Sequence, residues 1–553
     1  MSYSPVPTSY SRSGMIVNVL ERTIRGGAIH VHNTTIAALE YDDAQYDTYI
    51  IPGYIDAHVH IESSMLTPSE FARMAVVHGT VGTVSDPHEI ANVLGINGVR
   101  YMLDNARLVP FKFAFGVPSC VPATNFETAG GTISLDAIRE LFEYDGLRYL
   151  SEMMNFPGVL AGDAVVMHKI RIARELHRPI DGHAPGLRGE DIARYSTAGI
   201  STDHECVSLE EALDKLQYGM KILIREGSAA KNYDALHSLI SSHTAHVMFC
   251  SDDKHPNDLA VSHIDSIVRR SVHNGHDVFD VLRCACVNPV LHYGLDVGLL
   301  RVGDPADFIE IDNLRDFTTL RTYINGRCVA EHGRTLIERH TAAHVNCFNC
   351  SPKHAQDFRV SYHSTAQSVC VRVIEAHDGQ LTTRERIERL HVQDGVILPD
   401  IQRDILKFTV VNRYYDAPPA VGFITNFGLQ RGAIASSVGH DSHNILAVGA
   451  CDEELAAVVN AVISVRGGIA VSDDGTLDVL PLPIAGIMTD ADGYAVGEAY
   501  ARLDARAKAL GSRLHAPFMT LSFMALLVIP DLKLSDKGLF SGRTFTFVPL
   551  VVS

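Results

Sequence analysis

Between residues 50 and 250 the chain alternates short apolar segments with stretches of helical character, and this alternation constrains the fold most strongly. Alternating strand and helix patterns indicate a parallel α/β fold, because parallel strands need long crossover connections. The segments are 50–55, 80–85, 112–117, 149–150, 179–180, 199–202, 221–224 and 246–250. About eight strands close a (β/α)₈ barrel, and the length of the region suits one.

Nearly every predicted strand ends in a side chain that binds metal or transfers protons. In such a barrel catalytic groups lie at the C-terminal ends of the strands. The groups at these ends, in chain order, are His58 and His60, then Asp86, His88 and Glu89, then Glu152, His183, His204, Glu226 and Asp252. A random scatter of the 28 histidines would not prefer strand ends. The sequence therefore predicts a site at this end of the barrel.

The His58-Val59-His60 segment is the first of these strand ends. Side chains in a strand alternate with period two, so both imidazoles leave the strand on the same face. A bare pair of this kind more often lies on a surface, but the later strand ends favour a metal site. The full set comprises four imidazoles and two carboxylates: His58, His60, Glu152, His183, His204 and Asp252. It suffices for two divalent ions if one carboxylate bridges them.

This ligand set predicts a hydrolytic reaction. Mixed nitrogen and oxygen ligands suit zinc, iron or manganese, so ligand type alone does not select the metal. Two such ions lower the pKa of a water between them, and Asp252 is a natural general base for that water. No G-x-S-x-G elbow, Walker loop or dinucleotide-binding glycine motif competes convincingly with this interpretation.

Longer motifs carry a family resemblance. They are residues 52–64 (PGYIDAHVHIESS), 85–92 (SDPHEIAN), 151–158 (SEMMNFPG), 181–186 (DGHAPG), 225–231 (REGSAAK), 251–256 (SDDKHP), 480–488 (LPLPIAGIM) and 517–521 (PFMTL). Together with the order of the strand-end ligands, they resemble the amidohydrolase superfamily and, within it, the adenine deaminase family. The resemblance covers nearly the whole chain. Glu152 occupies the place where many relatives carry a carboxylated lysine, which agrees with that family.

The resemblance implies a reaction and a set of roles. The expected reaction is hydrolysis of adenine to hypoxanthine and ammonia, with a metal-bridged hydroxide attacking C6. The expected cofactors are two divalent ions, manganese or iron, with zinc as a further option. His58, His60, Glu152 and Asp252 would hold one ion, and Glu152, His183 and His204 the other. Asp252 would protonate the departing amine, and the candidates for a proton donor near the ring nitrogens are Glu226, Glu89, His88 and Asp86.

The flanking sequence predicts two further domains. Short β-like segments at 1–50 and 290–345 predict a composite β-sandwich domain around a barrel at 51–289. Residues 355–553 predict an additional C-terminal α+β domain, with strands at 368–375 and 406–411 and a helix at 452–465. Its polar segment 439–444 (GHDSHN) either borders the site or forms a structural turn. The Cys347-Phe348-Asn349-Cys350 motif has no partner pair, so we do not assign zinc to it.

Composition limits the partners. The formal net charge of −18, without a dense Lys/Arg run, argues against nucleic acid or an anionic membrane as partner. No apolar run approaches the length needed to span a bilayer, and Met1–Pro5 lacks a secretory signal pattern. The spacing of the 10 cysteines indicates reduced thiols and not a disulfide framework. We therefore expect a cytoplasmic protein. We expect a purine base as substrate and a homo-oligomer, a dimer. The alternatives are an amidohydrolase acting on another aminopurine or a cyclic amide, and a catalytically silent scaffold, which the intact ligand set disfavours.

Overall fold

A computed structural model describes residues 9–144 and 147–552. Residues 1–8, which include the Met1–Pro5 segment and the start of the predicted 1–50 region, lie outside the described residues. The N-terminal strands are β1 (Ser9–Asn18), β2 (Thr23–His32), β3 (Thr35–Asp42) and β4 (Tyr49–Pro52). Strands β1, β2 and β3 form an antiparallel meander, and β4 pairs parallel to β1.

The barrel follows directly. Its strands are β5 (Tyr54–Val59), β6 (Thr80–Ser85), β7 (Lys112–Phe115), β8 (Leu150–Met153), β9 (Ile180–Gly182), β10 (Thr202–Asp203), β11 (Lys221–Arg225) and β12 (Val247–Cys250). Neighbouring strands pair in parallel, and bridges from Val117 to Leu150 and from Val59 to Asp252 connect the separate ladders. Between β9 and β10, the Ser201 amide donates to the Ile180 carbonyl over 2.9 Å. The predicted (β/α)₈ barrel is confirmed.

Helices surround this barrel, as crossover connections require. They are α1 (Pro68–Ala75), α2 (His88–Leu94), α3 (Ile96–Ala106), α4 (Leu135–Glu143), α5 (Phe156–Ala161), α6 (Ala164–Glu175), α7 (Gly189–Thr197), α8 (Leu209–Gln217), α9 (Tyr233–Leu236), α10 (Leu239–Ser242), α11 (Pro256–Leu259), α12 (Ile264–His273), α13 (Val278–Leu282) and α14 (Asn288–Tyr293). Buried side chains such as Tyr149, Leu223 and Met248 fill the barrel interior. The centre is therefore a packed core, and the polar groups are left at its end.

The prediction of one strand at 50–55 was wrong, because the chain changes sheet at Gly53. Strand β4 belongs to the N-terminal sheet, whereas β5 belongs to the barrel. A side chain at Gly53 would overlap Val81 of β6, and the Tyr54 amide donates to the Gly79 carbonyl over 3.1 Å. Only glycine permits this close approach at the point of entry.

After the barrel the chain returns to the first sheet. The returning strands are β13 (Phe308–Ile311), β14 (Thr319–Ile324), β15 (Arg327–Glu331) and β16 (Arg334–Thr335). Strand β13 pairs with β4, giving one sheet in the order β16-β15-β14-β13-β4-β1-β2-β3. This sheet has a hydrophobic core of its own, which contains Ile16, Val31 and Phe308. Both flanks of the barrel therefore join in one composite β-structure.

The C-terminal region forms a second α/β body. Its strands are β17 (Val360–Ser361), β18 (Ser368–Ala376), β19 (Thr383–Gln393), β20 (Val396–Ile397), β21 (Leu406–Val411), β22 (Ala420–Thr425), β23 (Ala433–Ser436), β24 (Ile445–Gly449), β25 (Gly468–Asp473), β26 (Thr476–Pro481), β27 (Leu532–Ser535), β28 (Gly538–Ser541) and β29 (Thr546–Phe547). Its helices are α15 (Asp452–Ser464), α16 (Gly493–Ala509) and α17 (Pro517–Ser522). The two predicted strands and the predicted helix are present, each within one residue of its expected bounds.

This body packs on the C-terminal end of the barrel. Strands β17 to β26 form one ten-stranded sheet, with α15 buried against β23 to β25. Backbone hydrogen bonds between Thr489 and both Met65 and Thr67 join the two bodies, over 2.9 and 3.2 Å. Across residues 9–144 and 147–552, no helix is long and apolar enough to cross a membrane.

Candidate active site

Six polar side chains from five barrel strands converge at the covered end of the barrel. Each of the predicted ligands His58, His60, Glu152, His183, His204 and Asp252 is at most 5% exposed. Glu152 lies within β8, one residue before its end, whereas His183 and His204 follow β9 and β10 directly. The structure thus brings together all the side chains that the sequence assigned to metal binding.

The first donor group consists of His58, His60 and Asp252. The two imidazole Nε2 atoms lie 3.2 Å apart, and Oδ1 of Asp252 lies 3.4 Å from Nε2 of His58 and 3.2 Å from Nε2 of His60. Ligands bound at about 2.1 Å to one divalent ion lie about 3.0–3.4 Å from one another. The spacing of this group therefore fits a metal ion.

Glu152 connects this group with a second one. Its Oε1 lies 3.2 Å from Nε2 of His60, and its Oε2 lies 2.8 Å from Nδ1 of His183 and 3.3 Å from Nε2 of His204. One carboxylate thus faces both donor groups with different oxygens. This is the geometry expected of a carboxylate that bridges two ions.

The two carboxylates of these groups stay ionised. Burial alone would raise the pKa of Glu152, but the His183 imidazole and the hydrogen bonds from the surrounding histidines hold it well below its usual range. Burial likewise opposes ionisation of Asp252, but the neighbouring Arg225 guanidinium holds the pKa of Asp252 well below its usual range. Both side chains therefore present anionic oxygens to a cation.

Arg225 is a site residue that the sequence analysis did not assign. Its guanidinium donates to Oδ2 of Asp252 over 2.6 Å and also pairs with Glu205. Leu223 and Arg225 share the inward face of β11 because side chains alternate along a strand. The same alternation places Glu226 on the outward face of β11, away from the donor groups, where it lies 3.4 Å from Arg270. Taking every second residue of β11 from the inward-facing Leu223 would have selected Arg225 instead of Glu226.

The other predicted catalytic candidates lie beside Glu152. Nδ1 of His88 lies 3.0 Å from Oδ2 of Asp86 and 3.7 Å from Oε1 of Glu152. Nε2 of His88 lies 3.4 Å from Oε1 of Glu89 and 3.6 Å from Oδ1 of Asp441. His88 therefore stands between the donor groups and a cluster of acids, and His88 and Asp86 are close enough to count as alternative metal ligands.

The C-terminal body contributes the far side of the chamber. His440 pairs through Nδ1 with Oε1 of Glu89, and His443 places Nε2 2.5 Å from Oε2 of the same carboxylate. Burial lowers the pKa of His440, but Glu89 outweighs that effect and raises it to about 9. Of the two interpretations of segment 439–444, the structure supports the one in which it borders the site.

An apolar wall completes the chamber. It is formed by Met154 of the barrel and by Leu381, Phe523 and Leu526 of the C-terminal body. The Phe523 ring stacks on His440 with centroids 4.9 Å apart and an interplanar angle of 19°. Sequence analysis missed this wall, because no local pattern signals that residues so far along the chain meet the barrel. A flat apolar surface beside charged groups suits a planar heteroaromatic ligand.

Two other pairs of metal-capable side chains, Cys347 with Cys350 and His30 with His32, lie outside the chamber. Cys347 and Cys350 are free thiols with intermediate exposure. His30 contacts Ser11 and Glu40 on the composite sheet, and the neighbouring His32 is exposed. Neither motif lines the chamber.

Comparisons with known proteins agree with the geometry. Residues 49–329 match the amidohydrolase family, and residues 380–546 match the adenine deaminase C-terminal domain. A protein of Salinibacter ruber named adenine deaminase is 55% identical over 545 residues, covering 98% of this chain and 99% of the relative. Proteins of the same name from a Sulfurovum species and from Methanosarcina mazei are 55% and 50% identical and cover 96% and 97% of this chain and 98% of each relative.

Proposed function

The chain belongs to the adenine deaminase family of the amidohydrolases, and on that premise we propose that its reaction takes place in the chamber around Glu152. The reaction is the hydrolytic deamination of adenine to hypoxanthine and ammonia. The amidohydrolase domain makes this a metal-dependent hydrolysis. The observation that carries the proposal is the position of Glu152, whose two oxygens face two separate donor groups beside an apolar wall.

We propose two divalent ions, manganese or iron, with zinc as a further option. His58, His60, Asp252 and Glu152 would hold the first, and Glu152, His183 and His204 would hold the second. The separations within the first group support this assignment. Two such ions would supply the nucleophile, because they would lower the pKa of water so that hydroxide is available near neutral pH.

Asp252 is the proposed proton carrier. Its Oδ1 faces the two histidines while Arg225 holds its Oδ2, so the carboxylate has a fixed orientation. It takes a proton from the attacking water and delivers it to the exocyclic amine, which leaves as ammonia. Arg225 acts through Asp252: it keeps the carboxylate anionic until the proton arrives.

The purine ring is proposed to lie between the ions and the apolar wall. Phe523 and Leu526 cover its apolar surface, and the polar groups within reach of ring nitrogens are His88, Glu89 and His440. Negative charge develops on the ring as C6 is attacked, so a donated proton stabilises that state. His440 supports this role because Glu89 keeps it protonated, with a pKa of about 9.

Ammonia release from a base panel tests the function. We expect enzyme loaded with manganese to release ammonia from adenine, and enzyme stripped by a chelator to lose that activity and regain it on adding metal. The panel also contains adenosine, guanine, cytosine and a dihydropyrimidine. Ring opening of the dihydropyrimidine, or deamination of another base in place of adenine, would contradict the assignment and favour the cyclic-amide or aminopurine alternative.

Glu89→Gln tests the proposed purine side of the chamber. Glutamine keeps the size of the side chain but removes the charge that pairs with His440 and His443. We expect kcat/KM for adenine to fall about 10²-fold, because a proton donor and its orientation are lost together. Steady-state kinetics at saturating manganese give the result.

Glu211→Gln is the matched control for that variant. Glu211 is also a buried acid paired with a cation, Lys215, but it lies on helix α8 outside the chamber. Its replacement is expected to lower the melting temperature while KM and kcat stay within about twofold of wild type. Equal kinetic losses in both variants would show that the Glu89 effect is a loss of stability.

The homodimer and the cytoplasmic location stay predictions. The net charge of −18 and the absence of a bilayer-length helix among the described residues agree with an aqueous compartment. Sedimentation velocity on the purified protein measures the oligomeric state.

A further inference from the structure

Lys533, on strand β27, is fully buried without a carboxylate partner. Its side chain is 0% exposed, and its Nζ donates to the carbonyl of Leu381 over 2.6 Å and to that of Phe523 over 2.9 Å. Within residues 9–144 and 147–552 the structure shows no salt bridge to it. Burial lowers the pKa of Lys533 to about 7.

Two other lysines that are at most 1% exposed have carboxylate partners, in contrast to Lys533. Lys215 pairs with Asp203 and Glu211, and Lys407 pairs with Asp452. A buried ammonium without such a partner is unfavourable, because it loses hydration and gains only dipoles in return. Burying Lys533 therefore costs free energy of folding, and the fold gains two hydrogen bonds to backbone carbonyls in return.

Both carbonyls belong to residues that form the apolar wall of the chamber. Leu381 precedes strand β19, and Phe523 follows helix α17, so the two segments are distant in sequence. The Phe523 carbonyl stands at the C-terminal end of that helix, where a donor or a cation is favourable. Lys533 itself does not line the chamber. It reaches the site through the two backbone segments that it joins.

Phe523 also connects Lys533 with the polar side of the chamber. The Phe523 ring stacks on His440, and His440 pairs with Glu89 of the barrel. A shift of the Phe523 backbone would therefore move both the apolar surface and the partner of Glu89. The two donor groups, by contrast, lie on or directly after barrel strands, whereas the two hydrogen bonds of Lys533 go to Leu381 and Phe523 of the C-terminal body.

We propose that Lys533 is a positioning residue for purine binding, which fixes the Leu381 and Phe523 segments as one wall over the barrel. This inference rests on the proposed location of adenine in the chamber. It separates two parts of the site: the barrel carries the proposed metal ligands and the proton carrier Asp252, and the wall fixed by Lys533 determines how tightly and in which orientation the base is held.

Lys533→Met tests the inference in the manganese-loaded, full-length enzyme. Methionine fills a similar volume but cannot donate to either carbonyl. We expect KM for adenine to rise about tenfold and kcat to fall by a smaller factor, since the wall that holds the base shifts together with His440 while the proposed metal ligands stay in place. Kinetics are measured at a temperature at which circular dichroism shows both enzymes fully folded.

Lys407→Met is the control. Lys407 is equally buried in the same body and donates to the Phe358 carbonyl, but it lies away from the chamber. We expect this variant to melt at a lower temperature than wild type with KM unchanged. A KM that rises in both variants would assign the effect to general loss of stability and overturn the proposal.

Lys533→Gln keeps the test decisive if the methionine variant does not fold. Glutamine can donate but is too short to reach both carbonyls, so KM is expected to rise by a smaller factor than with methionine. An unchanged KM in the folded Lys533 variants overturns the inference. Absence of adenine turnover in wild type would instead contradict the proposed function, so the two failures are distinguishable.

Discussion

Glu152→Gln is expected to lower kcat for adenine by about 10³-fold or more, because it removes the carboxylate whose two oxygens face the two donor groups. An amide has one acceptor oxygen and no charge. It cannot present an anionic oxygen to His60 on one side and to His183 and His204 on the other. Bound metal, measured by plasma mass spectrometry after gel filtration, is therefore expected to fall together with turnover.

Glu310→Gln provides the matched comparison for this experiment. Glu310 is also a buried glutamate, and it pairs with Arg321 over 2.8 Å in the composite sheet, far from the chamber. Its glutamine variant is expected to keep the metal content and kcat of wild type. Turnover and metal content near wild type in Glu152→Gln would overturn both the bridging role and the two-ion proposal.

The positions of these groups could be predicted because they depend on local rules. Strand ends of a parallel barrel meet at one end, so His58, His183 and His204 were expected to come together from their places after apolar segments. The error at 50–55 has the same origin. An apolar run does not reveal that a chain changes sheet within it, and only the close approach of Val81 explains the need for Gly53.

The contacts that the sequence did not predict depend on long-range packing. Glu89 and His440 are 351 residues apart, and their pairing exists only because the C-terminal body covers the barrel. No periodicity in either segment encodes that contact. Arg225 differs, because the alternation of side chains along β11 is sufficient to place it on the inward face. The sequence analysis assigned its neighbour, the acid Glu226, instead.

The division of the site between two bodies has a physical consequence. Barrel strands hold the proposed ligands with little freedom, because each is anchored by parallel backbone pairing and a packed interior. The covering wall is positioned by contacts within the C-terminal body, such as those of Lys533, and backbone hydrogen bonds of Thr489 help to join that body to the barrel. Changes in the barrel should therefore affect kcat most strongly, and changes in the wall should affect KM.

Asp252→Asn is expected to lower kcat by about 10³-fold, because the variant loses the anion that carries the proton. The backbone of Asp252 is in the left-handed region, with φ of 56°. Hydrogen bonds of its amide and carbonyl with the backbone of His58 and His60 hold it there, over 2.9 and 3.1 Å. Asparagine tolerates this region as aspartate does, so the substitution changes charge without straining the chain.

Asp474→Asn shows whether that reasoning about the backbone holds. Asp474 also has a positive φ, 47°, but it lies in the turn between β25 and β26. Its asparagine variant is expected to fold and turn over adenine like wild type, which shows that the substitution itself is harmless at such a backbone. Metal content measured on Asp252→Asn then separates its two proposed roles, since loss of kcat with both ions retained isolates proton transfer. Turnover of Asp252→Asn within about tenfold of wild type would exclude Asp252 as the proton carrier.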